Sequence, residues 1–257
     1  MERYLPRSQA GIGVAERRNP GWQDAQVVDI IDEAPDAVTL RLQLSETTGF
    51  LPGQYYNVRL AVPDRPRPVQ RAYSVGSAPV PDPSIIDLGV REIPDGLVSP
   101  SLVRGLTTGD VVEVRGPYGR FTRTGSEAGS ALLVGAGSGL VPLMSMIRDA
   151  ATRDRCDPMW LVCSAITYEH AFYREELAHL MMRHGWLRVV HCVTRDPAEP
   201  RASYHRRIDR NILAEVLAGK RPDYAYLCGP PAMVESTAAD LGELGMTPES
   251  ILTEKYD

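Results

Sequence analysis

The chain changes rhythm near its middle, and that change limits its fold more than any single motif does. Residues 24–121 carry short strand-like runs separated by glycine and proline, at 26–31, 37–44, 55–62, 85–91 and 111–115. Pro35-Asp36 divides the first two runs, and Leu51-Pro52-Gly53-Gln54 precedes the third. Short strands between turns predict a small antiparallel β-barrel (Greek-key) or sandwich. One helix is expected in this half, over 99–106, with Ser99 as its N-cap and Pro100 as its first helical residue. Past residue 130, strands at 130–135, 159–164, 187–193 and 224–228 alternate with helical stretches at 141–151, 173–184, 212–218 and 232–244. Such alternation specifies an α/β doubly wound parallel sheet with helices on both faces. The chain therefore reads as an arm (1–22), a β-barrel domain (23–124), a linker or surface turn over 122–130, and an α/β domain (130–257).

Composition narrows the class. The 257 residues are 43% hydrophobic and 24% charged, with a net charge of -5. That balance fits a globular protein and excludes a disordered or fibrous one. The mild acidity argues against a nucleic-acid partner, which selects for a basic face. No apolar run approaches the ~20 residues of a membrane helix, and the first residues lack the apolar core of a secretory signal. The four cysteines, Cys156, Cys163, Cys192 and Cys228, form no C-x-x-C pair and no cluster fit for zinc or iron–sulfur, so no metal site is expected. Three of them read as small core residues in a reducing cytoplasm.

The segment Val134-Gly-Ala-Gly-Ser-Gly-Leu-Val-Pro142 lies between an expected strand and an expected helix. Gly135, Gly137 and Gly139 let backbone N–H groups approach a pyrophosphate, and the helix N-terminus adds its positive end. The alternative is a tight strand–helix turn with no ligand. The spacing is G-x-G-x-G-x-x-P rather than the Rossmann G-x-G-x-x-G, and Pro142 in the first turn fixes the helix start.

Further motifs follow in a fixed order: Pro52-Gly-Gln-Tyr55, Arg71-Ala-Tyr-Ser74, Gly96-Leu-Val-Ser99, Gly116-Pro-Tyr-Gly-Arg-Phe121, the glycine segment, Cys228-Gly-Pro-Pro-Ala-Met233 and Glu254-Lys-Tyr256. As an ordered set over residues 24–257 they resemble the ferredoxin–NADP reductase family, which includes bacterial reductase components of oxygenases. The resemblance implies FAD on the barrel. Arg71 would pair with its diphosphate, Ala72 and Tyr73 would lie along the flavin and Ser74 would hydrogen-bond near N5. Val90 would line the same site, and Gly96, Val98 and Ser99 would meet the diphosphate. It implies a nicotinamide dinucleotide on the second domain, its pyrophosphate held by Gly135, Gly137, Ser138, Gly139 and Pro142. Cys228, Gly229 and Pro230 would sit by the nicotinamide. Tyr256 would shield one flavin face, and Glu254 would orient the nicotinamide or assist proton traffic. Ser74, Cys228, Glu254 and Tyr256 are thus the candidate catalytic set. The plain alternatives are a buried structural thiol for Cys228 and a frayed tail for 251–257.

Donor and acceptor stay open. A 2′-phosphate needs arginines, while a free 2′-OH is often held by a carboxylate. Ser164-Ala-Ile166 lacks the arginine of the family's Ser-x-Arg, yet Arg195 and Arg206-Arg207 follow the third parallel strand. The expectation leans to NADPH, with NADH the alternative. With no cysteines for an iron–sulfur centre, electrons would pass to a separate ferredoxin, flavodoxin, haem or oxygenase protein, or to a small diffusible acceptor. Arg65, Arg67, Arg71 and Arg91 could dock an acidic partner or be scattered surface charge. Two other functions remain: a reductase of free flavin, and a non-catalytic interaction subunit. A dihydroorotate-dehydrogenase electron-transfer subunit shares the fold but would need a C-terminal cysteine cluster.

Overall fold

The computed structural model describes residues 21–62, 65–124, 127–153 and 157–256. The expected arm lies outside them apart from its last two positions, and so does Cys156. Strands β1 (Gln23–Ala34), β2 (Ala37–Leu44), β3 (Tyr55–Leu60), β4 (Val69–Ser74), β5 (Ile85–Arg91) and β6 (Val111–Tyr118) form an antiparallel sheet in the order β4-β3-β6-β1-β2-β5. The outermost strands then meet. Val75 bridges Leu88, and the Gly76 amide donates to the Asp87 carbonyl at 2.7 Å, closing the sheet into a barrel. Alternate residues fill it: Leu40 and Leu42, Tyr56 and Val58, Ile86 and Leu88, Val112 and Val114 are all buried. Each such aliphatic side chain contributes roughly 2 kcal/mol.

The second sheet holds β7 (Ala131–Ala136), β8 (Met159–Ala165), β9 (Leu187–Val193), β10 (Tyr224–Gly229) and β11 (Ile251–Lys255), all parallel, in the order β11-β10-β7-β8-β9. On one face Leu133 packs with Leu143 and Ile147 of α2 (Leu140–Thr152) and with Leu177 of α3 (Arg174–Arg183). On the other, Leu132 and Val134 pack with Ile212 and Leu213 of α4 (Arg210–Leu217) and Val234 of α5 (Pro231–Glu243). Both faces are covered, which is why these strands read as continuous apolar runs.

Several expectations need correction. Arg71–Ser74, where no strand was expected, forms the last four residues of β4, paired to β3 with Tyr73 opposite Tyr56. Its residues are half-buried or exposed, so they carry no apolar alternation. The barrel helix, α1 here, covers Ser99–Arg104, but Ser99 does not cap it. Val98 holds the cap position, and the Ser99 hydroxyl instead accepts from the Ile93 amide at 3.0 Å, closing the preceding turn. Residues 251–255 are an edge strand of the parallel sheet rather than a frayed tail. Within the expected linker, Arg123 is buried and donates to the Gly129 carbonyl at 2.7 Å.

The two sheets are joined by polar contacts that bury charge. Arg148 on α2 donates to the Gly76 carbonyl (2.8 Å) and approaches Asp87 of β5 (3.4 Å). Ser145, one turn earlier, donates to the Ser77 carbonyl (2.6 Å). The Tyr173 amide donates to Glu33 of β1 (3.0 Å). Gly89 of β5 lies so close to α2 that a Cβ there would stand 2.3 Å from Val141.

Candidate functional site

The barrel side of the site forms where β4 ends. Tyr73 is half-buried against the barrel core, and burial pushes its phenol up to about 12, partly offset by the charge of Arg71. Arg71 is exposed. Its Nη1 donates to the Gln70 carbonyl (2.8 Å), and among the described residues it has no ion pair. Its fork of donors is thus available to a phosphate. Gly96 sits in a tight turn where a Cβ would stand 2.8 Å from the Ile93 carbonyl and 3.0 Å from the Ser99 hydroxyl. Val98 and Ser99 are buried beneath that turn, and Val90 is buried in β5. Ser74 and Ala72 lie on β4.

The dinucleotide side is built around the turn after β7. A 3₁₀ turn over Gly137–Gly139 leads directly into α2. Gly137 has φ +56°, a left-handed conformation that favours glycine. Gly139 is constrained by space instead. A Cβ there would stand 2.1 Å from the Cys228 carbonyl oxygen and 2.7 Å from the Tyr256 hydroxyl. Gly135 packs the strand onto the helix, with Leu143 and Leu140 at 2.9 and 3.0 Å from its would-be Cβ. Pro142 is the third residue of α2, where a missing N–H costs no intrahelical bond.

Cys228, Gly229 and Tyr256 meet at this turn, with Glu254 beside Cys228. Cys228, next to last in β10, lies directly opposite Glu254 of β11, and its sulfur lies 3.9 Å from Glu254 Oε2. Cys228 is fully buried; burial and the neighbouring carboxylate push its thiol up, so it is protonated at neutral pH. Burial also raises Glu254, with the thiol hydrogen bond pulling the other way. The Tyr256 hydroxyl donates to the Ala136 carbonyl at 2.7 Å, and its amide donates to the Gly229 carbonyl at 3.3 Å. Tyr256 therefore lies across the glycine turn. Gly229 and Pro230 link β10 to α5, with Pro230 at the cap position.

Sequence reasoning misplaced Arg91. It stands at the end of β5, with Nη2 donating to the His170 carbonyl (2.7 Å), its guanidinium 5.2 Å from the Phe172 ring and Asp36 at 3.7 Å. Its Nη1 is 3.8 Å from where a Cβ on Gly137 would be, and its Nε is buried without a hydrogen-bond partner. Arg91 faces the dinucleotide turn and is no part of an outward basic patch with Arg65, Arg67 and Arg71. The orphaned Nε beside an open glycine turn fits a bound anionic group.

The donor-selective candidates lie at the carboxyl ends of β8 and β9. Ser164 is the strand neighbour of Ala136. Arg195 follows β9 with its amide bonded to the Ile166 carbonyl (2.8 Å). Arg206 is already ion-paired with Asp209 and lies 5.9 Å from the Tyr204 ring, so much of its charge is answered. Among the described residues no three metal-ligating side chains cluster, and no helix is long and apolar enough to cross a membrane.

Comparison with known proteins agrees with both sides of the site. Residues 24–122 match the oxidoreductase FAD-binding domain family and residues 133–239 the oxidoreductase NAD-binding domain family. The reductase component of a naphthalene 1,2-dioxygenase system from Pseudomonas putida is 31% identical over 233 residues, 90% of this chain and 67% of that protein. The reductase subunit of an aromatic O-demethylase from Amycolatopsis is 30% identical over 236 residues, 90% of this chain and 68% of that protein. The crystal structure of an Amycolatopsis cytochrome P450 reductase superposes with a TM-score of 0.79 at 29% identity, covering 93% of this chain and 71% of that one. The chain spans about two thirds of the length of these relatives.

Proposed function

This chain belongs to the ferredoxin–NADP reductase family of FAD- and NAD-binding oxidoreductases, and on that premise we propose that it carries electrons from NADPH or NADH, through FAD, to a separate one-electron acceptor protein. The acceptor is a ferredoxin, a flavodoxin or an oxygenase component, in keeping with relatives named as reductase components of oxygenase systems. FAD supplies the chemistry: it takes two electrons as a hydride and can release them singly.

The protein's own residues hold, orient and shield. Arg71 and the turn at Gly96–Ser99 bind the FAD diphosphate; Tyr73 and Ser74 hold the ring end. Gly135, Gly137, Ser138 and Gly139 receive the dinucleotide pyrophosphate at the start of α2, with Arg91 adding charge from the barrel. Cys228 stays a thiol whose proton is directed at Glu254, which keeps a neutral donor and a carboxyl beside the reacting rings. Tyr256 covers the glycine turn and keeps water out until the nicotinamide enters. Ser164 and Arg195 flank the place for the ribose, and with Arg206 paired to Asp209 a 2′-phosphate would rest chiefly on Arg195.

One observation carries the reading. The turn at Gly137–Gly139 lies against Cys228 of β10 on one side and near Arg91 of β5 on the other, which supports a site shared by the two halves. The test is cofactor content with turnover. The purified protein is expected to keep equimolar FAD through dialysis and to oxidise NAD(P)H with an artificial one-electron acceptor. A colourless protein that is active only with added free flavin would favour a flavin reductase. No oxidation with any acceptor would favour an interaction subunit.

A further inference from the structure

We infer that Arg148 is a positioning residue: it locks the helix that carries the dinucleotide turn onto the segment just after the flavin-binding strand. The inference rests on the two-nucleotide reading above and deepens it.

Arg148 is the ninth residue of α2, about 12 Å along the helix from its start at the glycine turn. Its side chain is 16% exposed. Its Nη1 donates to the Gly76 carbonyl (2.8 Å), two residues beyond Ser74, and approaches Asp87 Oδ2 (3.4 Å). Glu176 of α3 takes the other edge of the fork, with Nε and Nη2 donating at 2.9 and 2.6 Å. The Tyr173 ring packs 5.0 Å below the guanidinium. Ser145 donates to the next carbonyl, Ser77, while the Ser77 hydroxyl accepts from the Asp87 amide at 3.1 Å. So α2 grips two successive carbonyls of the chain that leaves β4.

Asp87 does not need Arg148 as its counter-ion. Arg41, within the barrel, already binds it with both oxygens (2.8 and 3.0 Å). The added contact orients one half against the other, a use of buried ionic groups that contributes direction more than stability. A rotation of about 5° over the ~12 Å lever shifts the glycine turn by about 1 Å, and such a misplacement costs up to about 100-fold in rate.

The test uses the FAD-loaded protein and the variants Arg148→Met, Arg148→Lys and Ser145→Ala. Arg148→Met is expected to keep FAD and to bind NADP⁺ or NAD⁺ within about threefold, yet to reduce its flavin about 10–100-fold more slowly with NAD(P)H. Arg148→Lys should recover part of the rate, because an ammonium reaches a carbonyl but cannot form the fork. Deuterium uptake over residues 74–89, measured without dinucleotide, should rise in Arg148→Met. If that variant does not fold, Ser145→Ala carries the test, with an expected slowing of about 3–10-fold for one lost hydrogen bond. Flavin reduction within twofold of wild type, a slowing matched by lost dinucleotide affinity, or unchanged uptake over 74–89 would each overturn the inference. Wild-type protein that retains FAD but is not reduced by either dinucleotide would instead defeat the underlying reading, and the inference with it.

Discussion

Gly139→Ala is a clean steric probe of the site. Gly139 has φ -63°, a backbone that alanine adopts without strain. The cost comes entirely from the neighbours. The new methyl would stand 2.1 Å from the Cys228 carbonyl oxygen and 2.6 Å from its carbon, both main-chain atoms that no rotamer change can move. Relief needs the turn and β10 to separate by roughly 1 Å. Forcing one extra methyl into such a contact costs about 1–3 kcal/mol of stability. The same shift displaces the proposed pyrophosphate seat relative to β5 and should slow hydride transfer by up to about 100-fold. The assay pairs urea unfolding with anaerobic stopped-flow bleaching of the flavin. Gly137→Ala is the control, because its left-handed φ costs about 1 kcal/mol while only Arg91 Nη1 comes within 4 Å of the added methyl. A Gly139→Ala protein with wild-type stability and bleaching rate would refute the close approach on which the site geometry depends.

Other outcomes follow from single side chains. Tyr73→Ala should lower FAD retention, measured as flavin released on gel filtration, because it removes a half-buried ring at the end of β4. Cys228→Ala should slow anaerobic bleaching about 10-fold or more with FAD content unchanged; an unchanged rate would leave Cys228 as packing alone. His191 is buried, and its imidazole is lowered to about 4 by burial. Between pH 6.5 and about 4 the unfolded chain binds the proton that the folded chain refuses, so stability falls as the pH falls through that window and levels off below it. The shift sets an upper limit of about 3 kcal/mol, and His191→Phe should flatten the acid side of a denaturation-versus-pH curve.

The two-part architecture was legible in the sequence because both sheets bury continuous or alternating apolar runs, which announce their periods. The glycine turn and Cys228 were legible for a similar reason: residues at the carboxyl ends of parallel strands stand in motifs. What the sequence hid was pairing across distance. Arg148, Asp87, Glu33 and Tyr173 are scattered along the chain and look like ordinary helix and strand residues until the halves meet. Arg91 looked like surface charge for the same reason. Strand β4 was missed because its edge position leaves Gln70, Arg71 and Ala72 exposed, so nothing apolar marks it. Ser99-Pro100 matched a capping pattern, but the hydroxyl found a nearer donor in Ile93.

In the proposed function the two sheets each bind a nucleotide and present the reactive rings to each other. Anaerobic rapid mixing of the FAD-loaded protein with NADPH, and separately with NADH, tests it most directly. Loss of the oxidised flavin's visible absorption is expected with at least one donor, fast enough to precede any turnover with an acceptor. Flavin that stays fully oxidised in the presence of both dinucleotides, in protein shown to bind them, would contradict it.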